Sequence, residues 1–282
     1  MKLSIIIPAH NEQTNLKECL DSFVAQNIRP DELIVVDDNS SDNTFTIASE
    51  YAKKHRWIKV LQNTSTDEHI PGKKIVDTFN IGLKHASDYN IIGKFDADII
   101  LPPNYFETML NHFKSNWKLG MCSGLLYIKK ENNWVYENIA DKNHIRGPIK
   151  LYLKACFNKI DGLRPAVGWD TVDILLAKYH NFETFTDISL HVKHLRPTGQ
   201  SYSSMNKYVK GEAFYKMRYG FVLSKIAAFK MAWQAKNPML YLNTILGYVL
   251  AVMNKLPRFV TKEEGHFIRK YRWEGIKKKL FR

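Results

Sequence analysis

A short run of apolar, mostly β-branched residues ends directly in a row of carboxylate and amide side chains. Residues 33–36 read Leu-Ile-Val-Val, and Asp37-Asp38-Asn39-Ser40 follow at once. Such a run predicts a strand buried on both faces, which is typical of a parallel sheet covered by helices. Ligands of open α/β sheets bind beyond the carboxyl ends of the strands, so these carboxylates are predicted to line a pocket.

A second acidic tip, Phe95-Asp96-Ala97-Asp98, follows another predicted strand at residues 91–96. Asp96 and Asp98 are two positions apart, so in extended backbone their side chains point to the same side. Mg²⁺ and Mn²⁺ take oxygen ligands and are commonly held by one or two carboxylates together with substrate phosphates. The pair therefore predicts a divalent cation site beside a nucleotide diphosphate. The alternative for the first acidic run is a turn in which Ser41 or Asp42 caps a helix from Thr44.

Strand and helix patterns alternate along the first half of the chain. Strands are predicted at residues 3–7, 33–37, 58–61 and 91–96, and helices near residues 16–24, 44–55 and 75–86. The first helix carries its apolar residues on one face, at Leu16, Cys19, Leu20, Phe23 and Val24. Alternation of this kind predicts an α/β fold with a mostly parallel sheet flanked by helices. We assign residues 1–200 to a catalytic domain and residues 201–282 to a basic, aromatic-rich helical C-terminal region.

Four motifs occur in an order that resembles family 2 glycosyltransferases with the GT-A fold. They are Ile7-Pro8-Ala9-His10-Asn11-Glu12, Asp37-Asp38-Asn39-Ser40, Phe95-Asp96-Ala97-Asp98 and Gly168-Trp169-Asp170. The resemblance covers roughly the first two thirds of the chain. It implies inverting transfer of a sugar from a nucleotide diphosphate sugar, UDP-linked by family analogy. The implied acceptor is a saccharide or a polyprenyl-linked saccharide, in cell-surface polysaccharide or glycoconjugate synthesis.

The same resemblance implies roles for individual residues. Asp98 matches the aspartate that binds Mn²⁺ or Mg²⁺, and Asp38 matches the residue that reads the nucleotide base. His10 stands where the family often has an aromatic ring against that base. The implied donor-binding residues are Pro8, Ala9, His10, Glu12, Asp38, Asp96 and Ala97. Lys73 is added because Pro71-Gly72-Lys73-Lys74 precedes a helix and its lysines can reach the diphosphate, although a solvated lysine pair is the alternative.

An acceptor hydroxyl must lose its proton as it attacks, which calls for a carboxylate as general base. Asp170 is our candidate, and it occupies the place of the second acid of a Glu-Asp pair in the family. Trp169 replaces the first acid. Asp173 is the rival candidate, but an acid in the first turn of the predicted helix at residues 171–179 is more typically a partner of the positive helix end.

Two histidines, His191 and His194, flank a predicted strand end. Some GT-A enzymes complete the metal site with a histidine downstream of the base. Imidazole suits Mn²⁺ better than Mg²⁺. We choose His191 as the metal ligand and keep His194 as its rival, and a structural role for either remains the alternative.

The net charge of +13 is concentrated in the C-terminal third. From His191 onward the chain has 19 Lys and Arg against 4 Glu, whereas residues 1–190 carry a charge of −2. Basic residues interleaved with aromatic ones suit an anionic bilayer surface. Residues 239–253 are almost entirely apolar but are too few to span a bilayer, which needs about 20. They predict either an interfacial or re-entrant helix, or a helix packed on the catalytic domain or in a dimer interface. A single long helix is predicted for residues 211–236.

The three cysteines, Cys19, Cys122 and Cys156, are few and odd in number, which favours a reducing compartment. The chain starts on a strand without a leader pattern. We expect a cytoplasmic protein, peripheral at the inner face of the cell membrane if the C-terminal region binds lipid. The alternatives are a nucleotidyltransferase, which would need a Gly-rich basic loop after the first strand, and a basic nucleic-acid-binding protein. The latter leaves the acidic motifs without a role, so nucleic acid is not an expected partner.

Overall fold

The computed structural model describes residues 1–65, 72–198 and 207–280. Within them the strands are β1 (Leu3–Ala9), β2 (Glu32–Asp38), β3 (Ile58–Asn63), β4 (Ile91–Phe95), β5 (Ile99–Ile100), β6 (Leu119–Lys130), β7 (Asn133–Tyr136), β8 (Ile149–Leu153) and β9 (Glu183–His194). The helices are α1 (Leu16–Val24), α2 (Thr44–Lys54), α3 (Lys73–His85), α4 (Tyr105–Ser115), α5 (Lys154–Lys159), α6 (Trp169–Tyr179), α7 (Val209–Lys216), α8 (Phe221–Gln234), α9 (Pro238–Met253) and α10 (Lys262–Leu280).

The strands form one sheet in the order β3-β2-β1-β4-β8-β6-β9-β5, with β7 beside β6. Parallel pairing, as predicted, joins β3, β2, β1 and β4, and it also joins β6 to β9. β8 runs antiparallel between β4 and β6. β5 pairs antiparallel with β9, and β7 pairs antiparallel with β6. Two antiparallel steps restore the original direction, so β6 and β9 end at the same edge as β1, β2 and β4.

Both faces of the sheet are buried along β1, β2 and β4, which explains their continuous apolar runs. Along β1, Ile5 and Ile7 join a core shared with α1, α2 and α4. Ile6, pointing the other way, joins a second core shared with α3, α5 and α6. Asp42 accepts a hydrogen bond from the backbone N–H of Thr44 at 2.9 Å, so the predicted turn leads into α2. The predicted cap by Ser41 or Asp42 is not formed, because the N-cap position is Asn43 and its side chain makes no capping hydrogen bond.

The C-terminal helices extend the second core. Ala213, Met217, Leu223 and Ile268 belong to the same buried cluster as Ile6. The division that we predicted between residues 200 and 201 lies outside the described residues. Among the described residues, apolar side chains of the C-terminal helices pack in the same core as those of the sheet.

The single long helix predicted for residues 211–236 is wrong. The chain forms α7 and α8 instead, separated by a turn at residues 217–220. Arg218 and Gly220 have φ angles of 53° and 78°, which a right-handed helix cannot accommodate. The turn is tied down by Arg218, whose Nε donates to the carbonyl of Val260 at 2.8 Å.

α7 and α9 cross at two glycines. A Cβ on Gly211 would lie 1.9 Å from the carbonyl oxygen of Thr244, and one on Gly247 would lie 2.1 Å from that of Tyr208. Only residues without a side chain allow the two backbones to approach this closely. Among the described residues, no helix combines the length and the apolar character needed to cross a bilayer.

Candidate functional site

Polar side chains from four strands meet at one edge of the sheet. β1, β2 and β4 are parallel, so the segments after Ala9, Asp38 and Phe95 lie side by side. β9 ends at this edge too, because Ile99, just after the second acidic tip, pairs with His194. The N–H of Leu195 donates to the carbonyl of Asp98 at 2.8 Å, which fixes the end of β9 against the acidic tip.

Asp96, Asp98 and His194 form a cluster in which the nearest ligand atoms all lie within 4.8 Å of one another. It is the one group of three or more His, Cys, Asp and Glu with such spacing in the described parts of the chain. Asp98 and His194 are buried and Asp96 is half-buried. Two carboxylates and one imidazole form a donor set that suits Mn²⁺. Asp96 and Asp98 thus meet at one point, as the sequence predicted, but they do so in a turn after β4 and not in extended backbone.

His191, our first choice as a metal ligand, lies outside this cluster. It is exposed and stacks on Tyr127 with ring centroids 4.1 Å apart, and the Tyr127 hydroxyl lies 3.0 Å from its Nε2. It lies three positions before His194, so along an extended strand the two rings point to opposite faces of the sheet. The rival, His194, is therefore the histidine that meets Asp98.

Cations of the chain hold the acids in this structure. Arg196 donates through Nε to Asp98 at 3.0 Å and through Nη2 to Glu12. Lys94, which is buried in β4, contacts Asp96. The acidic cluster is thus charge-compensated by the chain itself. A bound divalent cation would take over part of that compensation.

His194 lies between two carboxylates. Its Nε2 is 3.5 Å from Asp98 Oδ1 and its Nδ1 is 3.4 Å from Glu137 Oε2. Burial lowers the pKa of His194, but Asp98 and Glu137 outweigh burial and raise that pKa to about 9. Burial likewise raises the pKa of Asp98, yet His194 and Arg196 hold it below its usual value. An imidazole with a carboxylate on its far nitrogen is the usual arrangement of a histidine metal ligand, so the donor set fits a divalent cation.

Glu137 is itself firmly held. Arg146 Nη2 donates to it at 3.0 Å, and the backbone N–H of Thr198 donates at 2.7 Å. Burial raises its pKa, but His194, Thr198 and Arg146 together lower the pKa to about 2. Glu137 is therefore a fixed negative charge behind His194.

The predicted base-binding part is formed by the loops after β1 and β2. Asp38 is buried, accepts a hydrogen bond from Asn63 Nδ2 at 2.7 Å and lies 3.7 Å from Lys74 Nζ. His10 Nδ1 lies 2.7 Å from the carbonyl oxygen of Asp38, which holds the exposed imidazole beside that residue. Pro8 is half-buried. Ala9 and Ala97 are buried, and in the chain they adjoin His10 and the two aspartates Asp96 and Asp98.

Lys73 is exposed and forms an ion pair with Asp77 one turn along α3. Lys74, not Lys73, is the lysine that reaches Asp38. Pro71, in the same predicted motif, lies outside the described residues. The motif thus contributes one lysine to the site, from the position next to the one we chose.

Asp170 occupies the first turn of α6, which begins after Gly168 at φ 88°. Lys150 Nζ donates to its backbone carbonyl at 2.6 Å. The neighbouring Trp169 ring lies 5.3 Å from Lys150 Nζ and 5.3 Å from Lys94 Nζ. These two lysines face each other across β4 and β8, and Lys94 also contacts Asp96. Trp169 thus lies between Lys94, which contacts the acidic cluster, and Lys150, which binds the backbone of Asp170.

Asp173 has a different role from Asp170. It is buried and accepts hydrogen bonds from Lys150 Nζ at 2.8 and 2.9 Å and from the Tyr152 hydroxyl at 2.6 Å. Burial raises the pKa of Asp173, and Lys150 and Tyr152 oppose that rise. With its oxygens taken up by these buried partners, Asp173 is a structural residue that fixes α6 on β8.

Replacing Lys150 by Met should destabilise the fold by about 3–5 kcal/mol, because the carboxylate of Asp173 would remain buried without its cation. Chemical denaturation measures this loss. Lys154→Met is the matched control, since Lys154 pairs with Asp88 at the surface, where water screens the ion pair and its loss should change stability little. Equal destabilisation by the two variants would contradict the assignment of Lys150 and Asp173 as a buried ion pair.

Several residues of the site carry no motif. Each is far along the chain from its partner. Glu137 is 57 positions from His194, Arg196 is 98 positions from Asp98, and Lys150 is 23 positions from Asp173. His144 belongs to the same region, and burial followed by the charge of Lys150 lowers its pKa to about 4. One available signal was the occurrence of Lys94 in the predicted strand at residues 91–96, where a charge needs a buried partner.

Comparisons with known proteins agree with this geometry. The sequence profile described as glycosyl transferase family 2 matches residues 4–162, more than half of the chain. A curated relative, poly-beta-1,6-N-acetyl-D-glucosamine synthase of Staphylococcus epidermidis, is 29% identical over 131 residues, which are 46% of this chain and 30% of that protein. The chain spans less than half the length of the first curated relatives that it matches.

Two solved structures have similar folds. S. aureus TarS 1–349 in complex with UDP-GlcNAc matches with a TM-score of 0.61 and 21% identity, covering 79% of this chain and 66% of that one. The mannosyltransferase PcManGT from Pyrobaculum calidifontis, in complex with GDP-Man and Mn²⁺, matches with a TM-score of 0.59 and 14% identity, covering 98% and 80%. These likenesses confirm the predicted α/β GT-A fold class. The profile match over more than half of the chain shows that it belongs to glycosyl transferase family 2.

Proposed function

We propose that this protein transfers a sugar from a nucleotide diphosphate sugar to a saccharide or lipid-linked acceptor, with a divalent cation and with inversion at the anomeric carbon. The observation that carries the proposal is the meeting of Asp96, Asp98 and His194 at the sheet edge that also holds Asp38. In a nucleotide diphosphate sugar the diphosphate lies between the base and the sugar. A cation held by the cluster would bind that diphosphate while Asp38 binds the base.

Asp98 and His194 would hold Mn²⁺ or Mg²⁺, with Asp96 beside them. The cation, when bound, neutralises the negative charge that develops on the departing nucleotide diphosphate. Arg196 now spans Glu12 and Asp98. Once relieved of Asp98, its guanidinium is placed to donate to phosphate oxygens, for which a planar fork of N–H groups is well suited.

Asp170 is the proposed general base. It accepts the proton of the acceptor hydroxyl while that oxygen forms a bond to the anomeric carbon, and the bond from that carbon to the diphosphate breaks on the opposite face. Lys150 holds the backbone of Asp170 and keeps the carboxylate at the start of α6. Because the nucleophile enters opposite the leaving group, the product has the inverted configuration.

The proposed donor is UDP-linked. Support comes from the similar fold of TarS bound to UDP-GlcNAc, while PcManGT, bound to GDP-Man, makes guanine the alternative base. Asp38 would hydrogen-bond to the base, and the His10 ring, held beside Asp38, would lie next to it. The relative named as a poly-N-acetylglucosamine synthase favours a growing polysaccharide as acceptor.

Titration calorimetry of UDP, GDP and TDP, each with Mn²⁺ and with chelator, tests the proposal. We expect one nucleotide to bind with Mn²⁺ and to bind much more weakly with chelator. Failure of all three to bind, or binding that is unchanged by chelator, would contradict it. Release of pyrophosphate from a nucleoside triphosphate would instead favour the nucleotidyltransferase alternative.

A further inference from the structure

α8 and α9 pack against each other, and each exposes a line of large apolar side chains on the face turned away from the core. On α8 these residues are Val222, Ile226, Phe229 and Trp233, and on α9 they are Met239, Leu242, Leu246, Val249 and Met253. We call these nine residues the apolar face. The spacings of three and four place each line on one side of its helix.

The apolar face is strongly exposed. Phe229, Trp233 and Leu242 are 61%, 76% and 58% exposed. The opposite sides of the two helices are buried, at Ala228 and Ala232 on α8 and at Gly247 and Ala251 on α9. The helices are therefore already packed through one side, and the apolar face is an additional surface. Many exposed large apolar side chains on two neighbouring helices are typical of a site of interaction.

The charge around the apolar face has one sign. Residues 213–262 contain eight Lys and Arg and no Asp or Glu. Lys225 and Lys230 are exposed on α8 beside its apolar line, and Lys236 and Lys255 stand at the two ends of α9. An apolar stripe bordered by lysines, with no carboxylate among them, is complementary to a partner that is both apolar and anionic.

We propose that the apolar face docks on an anionic lipid bilayer, with α8 and α9 lying in the plane of the interface. Phe229 and Trp233, whose rings lie 6.0 Å apart, would insert at headgroup level, and the lysines would contact the anionic headgroups. This goes beyond the sugar transfer proposed above and does not depend on the metal cluster or on Asp170.

The same observations disfavour a second copy of the chain as the occupant. A two-fold interface brings the same patch of each copy together, so the lysines around it would face lysines. Nucleic acid fits the lysines but leaves aliphatic side chains such as Leu242 and Val249 without a partner. A bilayer matches the aliphatic, aromatic and cationic side chains together.

Flotation of the full chain with vesicles tests the proposal. Vesicles of phosphatidylcholine alone are compared with vesicles that also contain phosphatidylglycerol as one third of the lipid. We expect binding to the anionic vesicles, weakened by high salt because the lysine contribution is screened. The variant Phe229→Ser/Trp233→Ser/Leu242→Ser should bind the anionic vesicles with a partition coefficient at least about tenfold lower than that of the wild type.

The matched control is Trp117→Ser/Ile188→Ser, which removes two side chains that are 81% and 60% exposed but lie outside the apolar face. It should bind vesicles like the wild type. Because all five residues are exposed, circular dichroism should show both variants folded. Sedimentation velocity is run in parallel on the three proteins.

Three results would overturn the proposal. They are failure of the wild type to float with anionic vesicles, flotation of the triple variant to the same extent as the wild type, and equal loss of binding by the control. A wild-type dimer that the triple variant abolishes would assign the apolar face to a second copy instead. Nucleotide binding is measured separately, so failure of lipid binding is distinguishable from failure of the proposed transferase function.

Discussion

Replacing Asp98 by Asn should abolish the dependence of nucleotide binding on Mn²⁺. Asp98 meets His194 and Arg196 at the centre of the cluster, so the substitution removes a charged ligand from the proposed cation site. Loss of a residue that merely orients a metal ligand typically lowers metal affinity about 10–100-fold, so loss of a direct ligand should cost at least about 100-fold. Calorimetry with UDP and Mn²⁺ measures this loss of affinity.

The variant carries its own control. Asp38 and His10 are unchanged, so with chelator the variant and the wild type should bind nucleotide equally weakly. Glu12 remains a partner for Arg196, and Glu137 remains near His194, which should preserve the fold. Tight binding of the nucleotide by Asp98→Asn in Mn²⁺ would contradict the assignment.

Replacing Asp170 by Asn should lower kcat by about 10²- to 10⁴-fold, because the amide cannot accept the proton of the acceptor hydroxyl. Binding of the nucleotide with Mn²⁺ should remain at the wild-type level, since Asp170 lies at the start of α6 and not in the metal cluster. The comparison of kcat with nucleotide affinity separates a base from a binding residue.

The matched control for this variant is Asp161→Asn. Asp161 lies in the turn after α5 with its side chain 92% exposed, so the same chemical change there should leave kcat unchanged. Full activity of Asp170→Asn would show that another group accepts the proton. Asp173 would be a poor replacement because Lys150 and Tyr152 already occupy its carboxylate.

The parallel part of the sheet was predictable because its signals are local. Apolar runs that are buried on both faces end at Asp38 and Phe95, and parallel strands deliver such ends to one edge. Asp96 and Asp98 meet in the turn that follows β4, so their spacing predicted that they lie close together but not the backbone that brings them together. The position of Asp98 beside Asp96 was therefore within reach of the sequence.

The choice between His191 and His194 was not predictable in the same way. β9 begins at Glu183 and changes register against β6 between Ser123 and Leu125. A one-residue shift turns every later side chain to the other face, so alternation alone cannot say which histidine faces the acids. Pairing with β5 decides it, and β5 is only two residues long.

The lysine pair was hidden for a related reason. Lys94 and Lys150 lie in register on β4 and β8, yet their carboxylate partners, Asp96 and Asp173, lie in different elements. Only the tertiary structure shows that two buried ammonium groups surround Trp169. The tryptophan that replaces an acid of the family pattern thus lies against two lysines.

The most direct test of the central claim is an electron paramagnetic resonance titration of Mn²⁺ with UDP, in the wild type and in His194→Gln and His191→Gln. If Asp98 and His194 hold the cation, the wild type and His191→Gln should both remove the signal of free Mn²⁺, and His194→Gln should leave most of it. Loss of Mn²⁺ binding in His191→Gln with full binding in His194→Gln would contradict the account.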